Sequence, residues 1–215
     1  MEVQQHGFIF EDQIIQVITG LSKDQYQPLL EGSYTSSWDI AKGVKSDVNY
    51  SVKVSKDGKS IDSGDIQRII RHCRDTEFTF IIGAYCQVGD IKRYDTIYEF
   101  DIRPENYKIL WGGITEEVIA PFVDYVKGIP PGPDGQAQNK KLWKQKRQEI
   151  YNTHGKGLFN IAAKIDSKNQ RRVQCSVKIG ELIEAKITHR KYAKEYKTIQ
   201  LPYEQHSPPR NSQKT

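Results

Sequence analysis

Between Val48 and Ser55 the chain alternates strictly, with Val48, Tyr50, Val52 and Val54 apolar and Asn49, Ser51, Lys53 and Ser55 polar. A period of two predicts a strand with one face in a core and the polar set in solvent. Residues 34–56 together read as a β-hairpin or strand pair, ended by the turn KDGK at 56–59. Upstream, FIFEDQIIQVITGL at 8–21 places Phe8, Phe10, Ile14, Ile15, Val17, Ile18 and Leu21 on a broad helical face. Glu11 falls inside that face, where a carboxylate needs a partner.

Further along, GDIQRIIRHCRD predicts a helix capped by Ser60 or Ser63, its apolar side made of Ile66, Ile69, Ile70 and Cys73. Three strand-like runs follow at 78–88, 93–102 and 106–111, the first apolar on both faces as in a central strand. Thr115 opens a helix, TEEVIAPFVDYVKG, in which Pro121 predicts a kink. IPPGPDGQ at 129–136 reads as a stiff linker. NKKLWKQKRQEIY predicts a basic helix over 139–151, and NIAAKID with RRVQCSVKIGELI predicts a β-hairpin around SKNQ. The expected fold is α+β, close to α/β, with a mixed central β-sheet flanked by helices. The expected organisation is a core over 1–128, a linker over 129–136, a basic extension over 137–203 and a disordered tail over 204–215.

Charge sharpens this division. Residues 136–215 carry 18 Lys and Arg against 6 Asp and Glu, a net +12, while the first 135 carry 14 against 21, a net −7. A polyanion partner for the C-terminal part and a cation-binding N-terminal part are the expectation. No apolar run reaches the roughly 18 residues of a membrane span. The N-terminus lacks the basic and apolar pattern of a secretion signal, and the three cysteines show no CxxC spacing. These features predict a reducing, cytoplasmic setting without a zinc site. The five histidines are scattered, and no GxxxxGK[ST] or GxGxxG motif argues for a nucleotide-driven enzyme.

Asp39, followed at hairpin distance by Ser51-Val52-Lys53 on a strand, between a helix bearing Glu11 and a helix bearing Gln67, resembles the core of the PD-(D/E)xK nuclease superfamily over roughly residues 7–102. The resemblance implies a restriction-endonuclease-like core and Mg²⁺ as cofactor. It makes Asp39 the principal metal ligand, the Val52 carbonyl a second, and Lys53 the group that positions the attacking water. Glu11 matches a glutamate often found on the first helix, and Gln67 a glutamine in the helix after the lysine strand. Trp38 stands where the pattern has proline, and Ser51 where it has Asp or Glu. The second departure leaves Asp39 the only acid of the motif proper, so Glu11 must supply the missing charge for a hard divalent cation.

A shorter near-copy, Asp166 with Ser176-Val177-Lys178, follows later. In its turn, Arg171 and Arg172 suit phosphates or guanine edges, and Asn169 or Gln170 suits adenine, in a β-ribbon narrow enough for the major groove. Lys140, Lys141, Lys144 and Arg147 on the basic helix suit backbone phosphates. The expected activity is Mg²⁺-dependent cleavage of double-stranded DNA by a type II restriction endonuclease acting as a homodimer. A Holliday-junction resolvase or repair nuclease, and a DNA-binding protein with a decayed nuclease core, are the alternatives.

Overall fold

A computed structural model of the chain describes residues 5–30, 37–130, 133–165 and 170–206, with backbone only for 5–8 and 133–138. The chain folds as two compact units that interleave along the sequence. The first unit comprises residues 1–61, 77–102 and 187–215, and the second comprises 62–76 and 103–186. The boundary expected at 129–136 is therefore not where the chain divides, and Pro133 already opens a helix. Charge follows the units and not the linear halves. The first unit holds 14 Lys and Arg against 15 Asp and Glu, net −1, and the second 18 against 12, net +6. Residues 187–215 bring 6 Lys and Arg against 2 Asp and Glu to the first unit, a net +4, and so offset most of the −5 carried by its two earlier segments.

The first unit is built on a mixed sheet in the order β1-β3-β4-β10, made of β1 (Tyr50–Lys56), β3 (Phe78–Val88), β4 (Ile91–Ile102) and β10 (Tyr203–His206). Strand β1 lies parallel to β3, with Val52 opposite Ile81 and Lys53 opposite Ile82. Strand β4 runs antiparallel to β3, with a bulge at Ala84/Tyr85. Twelve residues make β4 long enough to pair along its other edge with β10 near its start and with β7 (His189–Tyr192) near its end. Residues 204–206, expected in a disordered tail, are thus edge strand.

Helix α1 (Gln5–Thr19) covers one face of this sheet. Phe10 stacks on Tyr94 at 4.9 Å between ring centroids. Only a glycine fits beneath it, because a Cβ on Gly83 would sit 2.6 Å from the Phe10 ring. Ile14, Ile15, Val52, Ile81 and Ile97 complete the core with Tyr26 of the short helix α2 (Lys23–Tyr26). The polar face predicted for β1 is not solvated: Ser51 and Ser55 are buried, and the Ser55 hydroxyl donates to the Ser60 carbonyl. The expected hairpin over 34–56 reduces to a single bridge between Ile40 and Tyr50. A buried carboxylate, Glu99 on β4, lies in the same row of the sheet as Val52 and Ile81. It accepts from Arg190 Nε at 2.6 Å, Tyr196 OH at 2.8 Å and Tyr192 OH at 3.1 Å.

In the second unit, β5 (Asn160–Ile165) and β6 (Arg171–Lys178) form the predicted hairpin, in a sheet of order β2-β6-β5 with β2 (Ser60–Asp65). Helix α3 (Ile66–Asp75) is capped by Asp65, whose side chain accepts from Arg68 N, and not by Ser60 or Ser63, which belong to β2. The run NYKILW is helical, not extended: a 3₁₀ turn at Pro104–Asn106 leads into α4 (Tyr107–Trp111). Its alternation is misleading, since Ile109 is exposed while the adjacent Leu110 and Trp111 are buried. Thr115 caps α5 (Glu116–Lys127) as predicted, with Pro121 inside it. The basic helix, α6, runs Pro133–His154, longer than expected, and α7 (Ile179–Glu184) ends what was read as a continuous strand. Among the described residues no helix is long and apolar enough to cross a membrane.

Candidate active site

Strand β1 is the last strand on its side of the sheet. In a strand, the N–H and C=O of one residue point to the same side, and residues alternate between the two sides. Val52 presents both groups to two side chains. Its N–H donates to Asp39 Oδ2 at 2.6 Å, and its carbonyl accepts from Lys53 Nζ at 2.8 Å. Asp39 reaches it because the backbone pairing at Tyr50 (Asp39 N to Tyr50 O, 3.1 Å) lays the preceding segment beside the start of β1. The same carboxylate oxygen takes Lys53 Nζ at 3.2 Å and the Ser51 hydroxyl at 3.4 Å. Asp39 and Lys53 are thus directed at each other, with side chains 26% and 20% exposed.

Glu11 completes the neighbourhood from α1. It pairs with Lys23 Nζ at 2.8 Å, and Asp12 beside it accepts from the Lys23 backbone N–H at 2.6 Å. Burial, and next the charge of Asp39, raise the Glu11 pKa; Lys23 and, less strongly, Lys53 act the other way. Two carboxylates are therefore close enough to repel, with an ammonium near both. Lys23 is the residue the sequence reading missed. Its signal was only the helix cap at Ser22, which places Lys23 at the first position of α2, opposite Glu11.

Lys53 Nζ is a cation held between a carboxylate oxygen and a backbone carbonyl oxygen, so the site already stabilises positive charge. Magnesium is commonly bound by one or two carboxylates and otherwise by water. Asp39, the Val52 carbonyl and Glu11 meet that minimum. Among the described residues, no three His, Cys, Asp or Glu side chains form a group able to hold a metal ion. The neutral Ser51 adds no charge, and its hydroxyl donates to Asp39.

Gln67 lies on α3, in the other unit. Of the expected nucleic-acid contacts, Lys140, Lys141 and Lys144 are exposed on α6. Arg147 is not available in the expected way: its Nη1 donates to the Ile161 carbonyl at 3.0 Å, and its guanidinium lies over the rings of Trp143 and Tyr151. Arg171 is likewise structural. Its three guanidinium nitrogens donate to the carbonyls of Ile129, Pro130 and Gln170 at 2.8–2.9 Å, which pins the hairpin to the segment before α6. The guanidinium is thus turned onto backbone carbonyls of its own unit. Arg172 and Gln170 are partly buried, with Arg172 Nε enclosed and without a hydrogen-bond partner among the described residues. Asn169 and Asp166 lie outside the described residues, and Lys178 of the near-copy is paired with Glu181 at 2.6 Å. The later motif thus has no described acid facing its lysine in the manner of Asp39 and Lys53.

No protein-family model matches this chain, and no curated protein and no solved structure matches it either.

Proposed function

We propose that the chain is a metal-dependent endonuclease acting on double-stranded DNA, of the type II restriction class, with Asp39, Val52, Lys53 and Glu11 as its active centre. The observation that carries this reading is the convergence on the Lys53 ammonium, at the edge of a sheet, of the Asp39 carboxylate at 3.2 Å and the Val52 carbonyl at 2.8 Å, with the Val52 N–H on the same carboxylate oxygen at 2.6 Å. The order of elements supports it too: a helix bearing an acid, a loop bearing Asp39, the Ser-Val-Lys strand, a helix and a parallel strand.

Asp39, the Val52 carbonyl and Glu11 would hold Mg²⁺, which when bound supplies an acidified water and neutralises charge developing on phosphate. Lys53 does the rest with its own ammonium. With those oxygens given to the metal, the ammonium, held beside them by its stem on β1, would donate to a water and to a non-bridging phosphate oxygen, holding the nucleophile in line and favouring the more charged transition state. Glu11, held by Lys23, keeps negative charge beside the cation site and accepts protons from ordered water. Double-stranded DNA is the substrate partner, and a homodimer places two such centres on two strands.

A second reading is favoured by one observation: Lys53 already neutralises Asp39, and Ser51 supplies no acid. On that reading the chain binds DNA without cutting it. Incubation with supercoiled plasmid and Mg²⁺ separates the cases. Discrete fragments, lost in Asp39→Asn and Lys53→Ala, are the expected result, with four-way junction cleavage pointing to a resolvase instead. Binding with an intact plasmid across all divalent ions tested would overturn the nuclease reading.

A further inference from the structure

In the first unit a cavity of about 600 Å³ opens between the second half of α1 and the chain from 198 to 203. The helix contributes Gln13, Gln16 and Val17, which are spaced three and four apart and so share one face. The opposite wall is Ile199 and Gln200 of β9 (Ile199–Gln200), Thr198 of the turn that joins it to β8 (Glu195–Tyr196), and Tyr203 at the start of β10. This volume falls in the range of sites that hold a small organic molecule.

The lining is polar but uncharged. Among the described residues no Asp, Glu, Lys, Arg or His lines the cavity, so a charged ligand meets no counter-charge there. Three primary amides line it instead, each offering donors and an acceptor side by side. The amide oxygen of Gln13 is enclosed and has no hydrogen-bond partner among the described residues, a costly state for a buried acceptor. A donor on a ligand would remove that cost. Gln200 is the least free of the three, because its Nε2 lies 3.4 Å from Glu195 Oε2. The rest of the lining is largely apolar: Ile199 belongs to the core, Val17 packs against it, and the Tyr203 ring leans on Tyr94 with centroids 5.8 Å apart.

We infer that this cavity is a binding site for an uncharged planar heterocycle of the nucleobase type, with the Gln13 and Gln16 amides on its edge and Tyr203 against its face. A base carries neighbouring donors and acceptors on its edge, which a glutamine amide meets in pairs, and its face stacks on an aromatic ring. A saccharide would use the same amides, but its hydroxyls point outward all round and some would be left against Val17 and Ile199 without partners. Two sources supply the favoured chemistry: a free nucleoside, and a base turned out of a nucleic-acid strand. The inference uses no part of the Asp39–Lys53 centre, so plasmid cleavage or its absence does not decide it.

The test titrates the full chain with adenosine, guanosine, cytidine and thymidine, read by saturation-transfer NMR, with methyl glucoside as the competing class. At least one nucleoside is expected to bind with a Kd of about 0.1–1 mM, the range for a ligand of that size. Gln13→Leu and Gln16→Leu are each expected to weaken binding about 3–10-fold, and Tyr203→Leu at least about fivefold. Lys197→Gln, an exposed position on the β8–β9 turn, should leave it unchanged. Gln16 is itself exposed, so Gln16→Leu tests the site even if Tyr203→Leu loosens the sheet, and thermal melts show which variants are folded. Fluorescence anisotropy in Ca²⁺ then compares a duplex carrying one unpaired base with its fully paired counterpart. Tighter binding of the first, lost in Gln16→Leu, assigns the site to a base within a strand, and equal binding of the two assigns it to the free nucleoside. No nucleoside bound at about ten times the expected Kd, binding that Gln13→Leu and Gln16→Leu both leave unchanged, or methyl glucoside bound in place of the nucleosides would overturn the inference.

Discussion

Lys53→Met offers the sharpest test of the proposed centre, because on that reading the ammonium and a metal ion would compete for the same two oxygens. Methionine keeps most of the aliphatic stem and removes the charge. The Lys53–Asp39 pair is partly exposed, so its worth is at most about 1 kcal/mol. The charged hydrogen bond to the Val52 carbonyl adds about 1 kcal/mol more. A divalent ion entering the parent site must displace part or all of this, about 1–2 kcal/mol, which is roughly a 5–30-fold loss of affinity. Removing a positive charge next to the cation acts in the same sense. Lys53→Met is therefore expected to bind Mg²⁺ more tightly by that factor while losing the ability to cut. Calorimetric titration of Mg²⁺ into DNA-free protein reads the first property and plasmid cleavage the second, with Asp39→Asn as the control that weakens metal binding. Equal or weaker Mg²⁺ affinity in Lys53→Met would refute the idea that the ammonium occupies the metal's position.

Two further outcomes follow from the second unit. Arg171→Ala removes three charged hydrogen bonds to backbone carbonyls and is expected to destabilise the protein by about 2–4 kcal/mol, lowering Tm by about 5–15 °C; a normal melting temperature with altered base preference would restore it as a reader of DNA. His72 is buried, and burial first, then the charges of Arg68 and Arg71, lower its pKa to about 4. Its neutral form suits the fold, so stability is complete above the ordinary histidine pKa and is lost as pH falls from about 6.5 to 4, by about 3 kcal/mol. Urea melts of the parent and His72→Gln should therefore converge by that amount between pH 7 and pH 4, and a pH-independent difference would contradict it.

The candidate centre was legible where chemistry is local. The alternation around Val52 put Ser51 and Lys53 on one face, and hairpin distance brought Asp39 to that strand, because a short connection leaves few places for the chain to return. Glu11 was legible as an acid inside an apolar helical face. Its partner Lys23 was not, since the pairing of α1 with α2 is tertiary. The carbonyl contacts of Arg171 were not legible for a related reason. A guanidinium in a turn has the same sequence signature whether it faces a phosphate or a carbonyl, and the carbonyls of Ile129 and Pro130 lie some forty residues away in the chain.

By itself, the sequence determined the period of its elements: the α1 face, the β1 alternation, the Thr115 cap and the β5–β6 hairpin are all local consequences of residue size, branching and polarity. Only the tertiary structure decided which chain segments share a unit. The return of residues 187–206 to pair with β4 sets Arg190 against the first unit's acids Glu99 and Asp101. Such pairing depends on backbone hydrogen bonds across long loops, which are identical for every residue except proline and so leave no mark in the order of side chains.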